Sequence, residues 1–167
     1  MTNRDECTCE PQARVHEERK VPESVLVVIY TPALDVLIIE RADHPGFWQS
    51  ITGSKATLDE PLRATCVREV AEETGLTVSE GQLEDWEVSH SFVIYEHWRH
   101  RYATGVTHNT EHVFGLCLPH RFEPHLNPVE HIRHRWLDWR AAADACFSWT
   151  NADSIRRLGQ LETNRSA

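Results

Sequence analysis

The sequence predicts an α/β protein, an α/β/α sandwich in which a mixed β-sheet lies between helices. Two observations support this fold class. Apolar or alternating segments typical of strands recur along most of the chain, whereas segments with helical spacing occur once in the middle and again near the end. With 167 residues, of which 40% are hydrophobic, the chain can form one domain around a real core.

The first half of the chain predicts three strands and one helix. Residues 24–30 (SVLVVIY) form a continuous apolar run, which is typical of a strand buried on both faces. Turn residues then separate this run from a returning strand. The second and third predicted strands cover residues 36–41 and 48–52, and the third leads into a loop at Gly53 and Ser54.

The helix is predicted to begin near Pro61, because proline is tolerated in a first helical turn. Leu62, Cys66 and Val70 repeat every four residues and predict an apolar stripe that faces the core. Gly75 is expected to end this helix, since glycine readily adopts the left-handed conformation found at helix C-termini.

The second half predicts further strands followed by two helices. Its aromatic-rich segment, residues 86–102, alternates well enough for one long strand or a hairpin. Two more strands are predicted at residues 111–118 and 132–139, with a proline-punctuated loop at 119–128 between them. Two final helices are predicted at residues 140–147 and 151–161.

Composition bounds the environment and the partners. Residues 1–19 are polar and predict a flexible tail rather than a secretory signal, so a single domain is expected over residues 20–162. No apolar run approaches the roughly 20 residues that a membrane span requires. The net charge of −9 argues against a nucleic-acid-binding surface, and neither nucleic acid nor membrane is expected as a partner.

The five cysteines are odd in number and scattered, which predicts a reducing, cytoplasmic location and no disulfide framework. Cys7 and Cys9, with His16, provide too few ligands for a typical zinc site. The other three are expected to be small core residues: Cys66, Cys117 and Cys146.

The central helix carries an unusual arc of negative charge. Glu69, Glu72 and Glu73 stand at positions i, i+3 and i+4, so helical geometry places them on one face. Like charges at this spacing weaken a helix, which suggests that something positive meets them. A solvated acidic face is one interpretation, and a hard divalent cation held by oxygen ligands is the other.

The surrounding residues resemble the signature of the Nudix hydrolases: Gly, five residues, Glu, seven residues, then Arg-Glu-apolar-x-Glu-Glu-x-Gly-apolar. The chain differs at the first position, where Ser54 stands six residues before Glu60 and the glycine is Gly53. The matching residues are Glu60, Arg68, Glu69, Val70, Glu72, Glu73, Gly75 and Leu76.

This resemblance implies a hydrolase that holds Mg²⁺, or Mn²⁺, through Glu69 and Glu73. Glu72 is implied as a further ligand or as a partner of Arg68, and Glu60 as a water-mediated ligand or a brace for the loop. Residues 20–155 as a whole resemble a bacterial subfamily that hydrolyses dihydroneopterin triphosphate in folate biosynthesis. In that subfamily the metal-site and substrate positions correspond to Glu69, Glu73 and Glu130, and to Lys20, Arg41, Thr52, Phe92, Val93, Ile94, Tyr95 and Ser148.

Glu130 and the basic segment with Arg99 and Arg101 are candidate site residues even without the family resemblance. Glu130 ends the proline-punctuated loop, so it is either a metal ligand or proton acceptor, or a solvated loop acid. Arg99 and Arg101 would share one face of a strand, where they either grip phosphate or pair with surface acids. Lys20 and Arg41 flank the first two strands and could also serve phosphates. Five aromatic residues could either stack on a planar ring of the ligand or lie in the core: Phe47, Trp48, Phe92, Tyr95 and Trp98.

Two rival functions remain open at this level. A pterin and a purine share ring size and hydrogen-bonding edges, so the substrate could be a (deoxy)nucleoside triphosphate, with a role in nucleotide-pool cleaning. A non-catalytic ligand sensor is also conceivable, but such sensors typically lack some of the signature carboxylates, which are all present in this chain.

Overall fold

The computed structural model describes residues 19–160. Most of the predicted tail, Cys7, Cys9, His16 and residues 161–162 of the predicted domain lie outside the described residues. Within the described range the strands are β1 (Glu23–Tyr30), β2 (Asp35–Arg41), β3 (Trp48–Gln49), β4 (Ile51–Ser54), β5 (Leu83–Val93), β6 (His108–Cys117) and β7 (His131–Asp138). The helices are α1 (Leu62–Thr74), α2 (Trp139–Ala145) and α3 (Trp149–Arg156), with two 3₁₀ helices at Glu80–Gln82 and Glu96–Arg101. The second of these is called the rim helix below.

These strands form a seven-stranded mixed sheet. Its main path runs β3-β2-β1-β6-β5, with β4 paired to β1 and β7 paired to β2. The β1–β6 pair is parallel, whereas the other pairs are antiparallel. The predicted mixed sheet is therefore confirmed.

Helices cover both faces of the sheet. Successive residues of β1 point to opposite faces, so Val25 and Val27 pack toward α1 while Leu26 and Val28 pack toward α2 and α3. All four side chains are fully buried, which explains why this strand is a continuous apolar run. The predicted α/β/α sandwich is confirmed by these two cores.

The predicted start, stripe and end of the central helix are confirmed. Pro61 is the N-cap residue of α1, and Cys66 and Val70 are buried in the core on this side of the sheet. Gly75 adopts the left-handed conformation (φ 72°) and its N–H donates to the carbonyl of Ala71.

Among the described residues, no helix combines the length and apolar character that a membrane span would need.

Three sequence expectations were wrong. The segment predicted as one strand at 48–52 is two strands, because the chain crosses at Ser50 from its pairing with β2 to its pairing with β1. The segment 86–102 is not a long strand: β5 ends at Val93 and the rim helix follows, because β6 pairs only with the part before it. Cys117 ends β6 exposed rather than in the core, whereas Cys146 is partly buried and packs against the core on the α2 side of the sheet.

Candidate active site

A cavity of about 860 Å³ opens at the end of the sheet, between the carboxylate face of α1, the rim helix and the start of α3. This volume lies in the range of small-molecule sites, roughly 300–1,000 Å³. Acidic, basic, aromatic and neutral polar side chains all contribute to its wall. The cavity thus combines groups suited to a charged ligand with groups suited to a planar one.

Glu73 is the most deeply placed carboxylate of the site. It is 4% exposed, and its Oε2 accepts a hydrogen bond of 3.2 Å from the backbone N–H of Thr52 on β4. Burial, then the negative charges of Glu69 and Glu130, raise the pKa of Glu73 well above its usual range. A carboxylate that is buried among other carboxylates needs a positive partner to stay ionised.

Glu69 is held against the loop that enters α1. A Cβ atom added to Gly53 would lie only 1.7 Å from the Glu69 carboxyl carbon, so only glycine allows this close approach. Burial raises the pKa of Glu69, while its hydrogen bond from Arg68 acts in the opposite direction. The glycine at position 53 therefore has a direct role in shaping the carboxylate site.

Arg68 connects the other signature residues. Its guanidinium donates to Glu60 (3.0 and 3.1 Å), Glu69 (2.6 Å) and Glu72 (3.2 Å) and to the carbonyl of Ser54 (2.9 Å). The hydrogen bond from Arg68 outweighs the effect of burial and lowers the pKa of Glu60 to about 2. Because Ser54 contributes only its backbone carbonyl, the departure from the glycine pattern leaves this contact intact.

Of these residues, Glu69, Glu72 and Glu73 line the cavity, whereas Arg68 and Glu60 lie behind its wall. Glu60 also accepts a hydrogen bond from the backbone N–H of Ala56, so it braces the loop before the helix. The geometry thus separates carboxylates that a ligand can reach from a supporting network.

Glu130 and His131 bring two further groups to the same place. Ligand atoms of Glu73, Glu130 and His131 all lie within 4.8 Å of one another, and His131 Nε2 is 3.7 Å from Glu73 Oε1. Burial, then the charge of Arg41, lower the pKa of His131 to about 4, which leaves a neutral imidazole. Two carboxylates and a neutral imidazole at this separation fit a divalent cation.

Sequence reasoning missed His131. It directly follows Glu130, and the sequence around it shows no spacing typical of metal ligands. It reaches the site only because β7 pairs with β2 at Arg41.

Three cationic side chains line the cavity: Lys20, Arg41 and Arg101. The backbone N–H of Lys20 donates to the carbonyl of Arg101, which ties the start of the domain to the rim helix. Burial, then the charge of Arg101, lower the pKa of Lys20. Arg41 pairs with Asp43 through hydrogen bonds of 2.8 and 2.7 Å, and its guanidinium carbon lies 4.7 Å from the centre of the Trp98 ring.

Arg99 does not join this group. The rim helix turns it away from Arg101, and its Nε donates to the carbonyl of Ile94 at 3.1 Å. The expected strand geometry, in which both arginines share one face, was wrong because this segment is helical.

The aromatic candidates separate into cavity and core residues. Phe92, Tyr95 and Trp98 line the cavity together with Val93, Ile94, Thr52 and Ser148. Trp48 is 7% exposed and belongs to the core between the sheet and α2. Phe47 lies behind Phe147, with ring centres 4.6 Å apart, and Phe147 itself lines the cavity. Sequence reasoning missed Phe147, which follows α2 and reaches the cavity only through the tertiary fold.

A NUDIX domain model matches residues 20–158 of the chain. The chain belongs to the Nudix family. It is 44% identical over 142 residues to dihydroneopterin triphosphate diphosphatase of Escherichia coli (strain K12), an alignment covering 83% of this chain and 93% of that protein. The protein of the same name from Haemophilus influenzae is 39% identical, over 81% of this chain and 85% of its own.

Solved structures agree with this assignment. The structure of the E. coli dihydroneopterin triphosphate pyrophosphohydrolase superposes with a TM-score of 0.76 at 43% identity, covering 83% of this chain and 95% of that chain. The NUDIX domain of Shewanella oneidensis NrtR, solved with ADP ribose, superposes with a TM-score of 0.63 at 17% identity, covering 83% and 86%, and supports the fold alone. The expected family and Nudix fold are confirmed, and the roles of individual site residues stay predictions.

Proposed function

We propose that this Nudix hydrolase cleaves dihydroneopterin triphosphate to dihydroneopterin monophosphate and pyrophosphate, a step of folate biosynthesis. The observation that carries the proposal is one cavity lined by carboxylates, cations and aromatic rings, in a chain 44% identical to a dihydroneopterin triphosphate diphosphatase. The charged side chains suit a metal-bound triphosphate, and the aromatic rings suit a planar pterin.

Mg²⁺, or Mn²⁺ in its place, is the proposed cofactor. Glu69, Glu73 and Glu130 would hold it, with the neutral imidazole of His131 beside Glu73 and with Glu72 as a further ligand once its exposed side chain leaves Arg68. When bound, the cation would neutralise phosphate charge and lower the pKa of a coordinated water. Its positive charge would also keep the buried carboxylate of Glu73 ionised.

The chain's own residues would position the phosphates. Lys20, Arg41 and Arg101 form a local basic surface inside a protein of net charge −9, and this surface would attract an anionic substrate to the cavity. Arginine suits phosphate oxygens because its planar fork donates two parallel hydrogen bonds. These cations would share the charge that develops as pyrophosphate leaves.

Glu130 is the proposed proton acceptor for the attacking water. It is exposed at the cavity wall, it stands outside the Arg68 network, and its carboxylate lies beside Glu73. There it would lie within reach of a water held among these groups. Phe92, Tyr95, Trp98 and Phe147 would then pack against the pterin ring.

The proposal extends to the setting of the enzyme. We propose one domain over residues 20–162 and a cytoplasmic location, as the cysteine pattern favours. The substrate is a small-molecule triphosphate.

Pyrophosphate release measured side by side tests the function. With Mg²⁺, kcat/KM for dihydroneopterin triphosphate should exceed that for each common nucleoside and deoxynucleoside triphosphate by at least about tenfold. The same reactions in EDTA should show no release. A deoxynucleotide that is cleaved as well as the pterin would favour nucleotide-pool cleaning, and binding without turnover after Mg²⁺ is restored would favour a sensor.

A further inference from the structure

The side chain of Asn109 has a hydrogen-bonding atom that no other described residue uses. Asn109 on β6 is 3% exposed and lines the cavity. Its Nδ2 donates a hydrogen bond of 2.6 Å to Ser24 Oγ on the neighbouring strand β1. Its Oδ1 is buried and has no hydrogen-bond partner among the described residues.

A buried acceptor without a partner costs about 1–3 kcal/mol, so native proteins seldom keep one without reason. In this structure the Ser24 oxygen accepts from the amide nitrogen, which leaves the amide oxygen as the atom without a partner. In this arrangement Asn109 presents an acceptor, rather than a donor, at the cavity wall.

The surroundings of Asn109 suit the edge of a flat ring. Phe92 lies directly opposite Asn109 in the β5–β6 ladder, so the two side chains share one face of the sheet, and both line the cavity. Thr150, at the start of α3, lines the same cavity and is hydrogen-bonded to the buried carboxyl of Glu111, two residues further along β6. This bond joins α3 to the strand that carries Asn109.

We propose that Asn109 is a specificity-determining residue that accepts a hydrogen bond from an amino group on the ligand's heterocycle. The proposal rests on the proposed function, because a pterin carries such an amino group on its pyrimidine ring. Guanine carries the same group at the equivalent position, and hypoxanthine lacks it. A ring without the amino group would leave the Asn109 oxygen unpaired.

GTP and ITP test this contact because they differ only in that amino group. Their inhibition constants against dihydroneopterin triphosphate hydrolysis, or their dissociation constants by calorimetry with Mg²⁺, give a GTP-over-ITP preference. Wild-type protein should prefer GTP by about tenfold. Asn109→Leu, which keeps the approximate volume without the acceptor, should reduce the preference to about one. Asn109→Asp keeps an oxygen at this position and should retain a preference for GTP.

Thr110→Ala is the matched control, because the Thr110 side chain points to the opposite face of β6 and is not among the residues that line the cavity. It should keep the wild-type preference. Wild-type protein that binds GTP no better than ITP, including weak binding of both, would overturn the assignment, as would a preference that survives in Asn109→Leu or is lost in Asn109→Asp. Circular dichroism and thermal melting identify a variant that fails to fold.

Failure of the proposed function would look different. It would appear in wild-type protein as the absence of a preference for dihydroneopterin triphosphate over nucleotides, whatever the ratio between GTP and ITP. The two conclusions are therefore tested by separate measurements.

Discussion

Glu111 predicts a pH-dependent loss of stability that one substitution should remove. Its side chain is 6% exposed, and its Oε1 has no hydrogen-bond partner in the described part of the chain. Burial raises the pKa of Glu111 to about 7, although the hydrogen bond from Thr150 opposes the effect. His90 lies opposite it in the ladder, but burial lowers the pKa of His90, so this neighbour supplies no positive charge near neutral pH.

The sign follows from proton binding. Between about pH 4.5 and 7 the folded protein holds a proton on Glu111 that the unfolded chain has released, so the free energy of unfolding falls as pH rises through this window. The full difference between a pKa of about 7 and the ordinary 4.5 corresponds to about 3 kcal/mol. Most of this loss, about 2–3 kcal/mol, falls between pH 5 and pH 8.

Glu111→Gln should therefore gain about 2–3 kcal/mol relative to wild type between pH 5 and pH 8. Urea denaturation at both pH values, extrapolated to water, measures the two free energies of unfolding. Comparing the two proteins removes contributions from other groups, including His90, which titrate in both. Glu84→Gln, on the exposed side of β5, is the control and should show no such gain. A difference between Glu111→Gln and wild type that is the same at both pH values would refute the reasoning.

Three further predictions concern the carboxylate site. Gly53→Ala should weaken Mn²⁺ binding, measured by calorimetry, by about 10–100-fold because its Cβ would displace Glu69, whereas Gly81→Ala, whose Cβ would meet no described atom within 4 Å, should not. Glu73→Gln should raise the free energy of unfolding in EDTA, since it removes a buried charge among carboxylates, yet lower kcat by orders of magnitude; near-normal turnover would contradict the site. Arg68→Ala should lower the free energy of unfolding by about 1–3 kcal/mol, and Arg68→Lys should restore only part of it, because lysine lacks the planar fork.

The carboxylate face and its helix were predictable because their information is local. Glu69 and Glu73 follow from helical spacing, and Pro61 and Gly75 mark the ends of α1 through their own backbone preferences. The buried run of β1 was equally clear, since a strand covered on both faces must be apolar throughout.

The predictions that were wrong or missing concern residues whose structure depends on contacts distant in sequence. The segment 96–101 alternates like a strand, but no strand in the described part of the chain pairs with it. It forms the rim helix instead, which carries Arg99 away from the cavity. His131, Phe147 and Asn109 become site residues only after strand pairing and the placement of α3 bring them together. Cys117 is exposed because the strand that carries it ends there.

Arg41 already has a counter-ion. Burial alone would raise the pKa of Asp43, but its hydrogen bonds and charge interactions with Arg41 and His44 lower it to about 2, so this carboxylate stays negative at every physiological pH. Asp43 occupies the Nε–Nη2 edge of Arg41, so a phosphate that binds through this edge would compete with Asp43, which could reclaim it afterwards. An exchange of this kind would moderate how tightly pyrophosphate is held and so shorten its stay after cleavage.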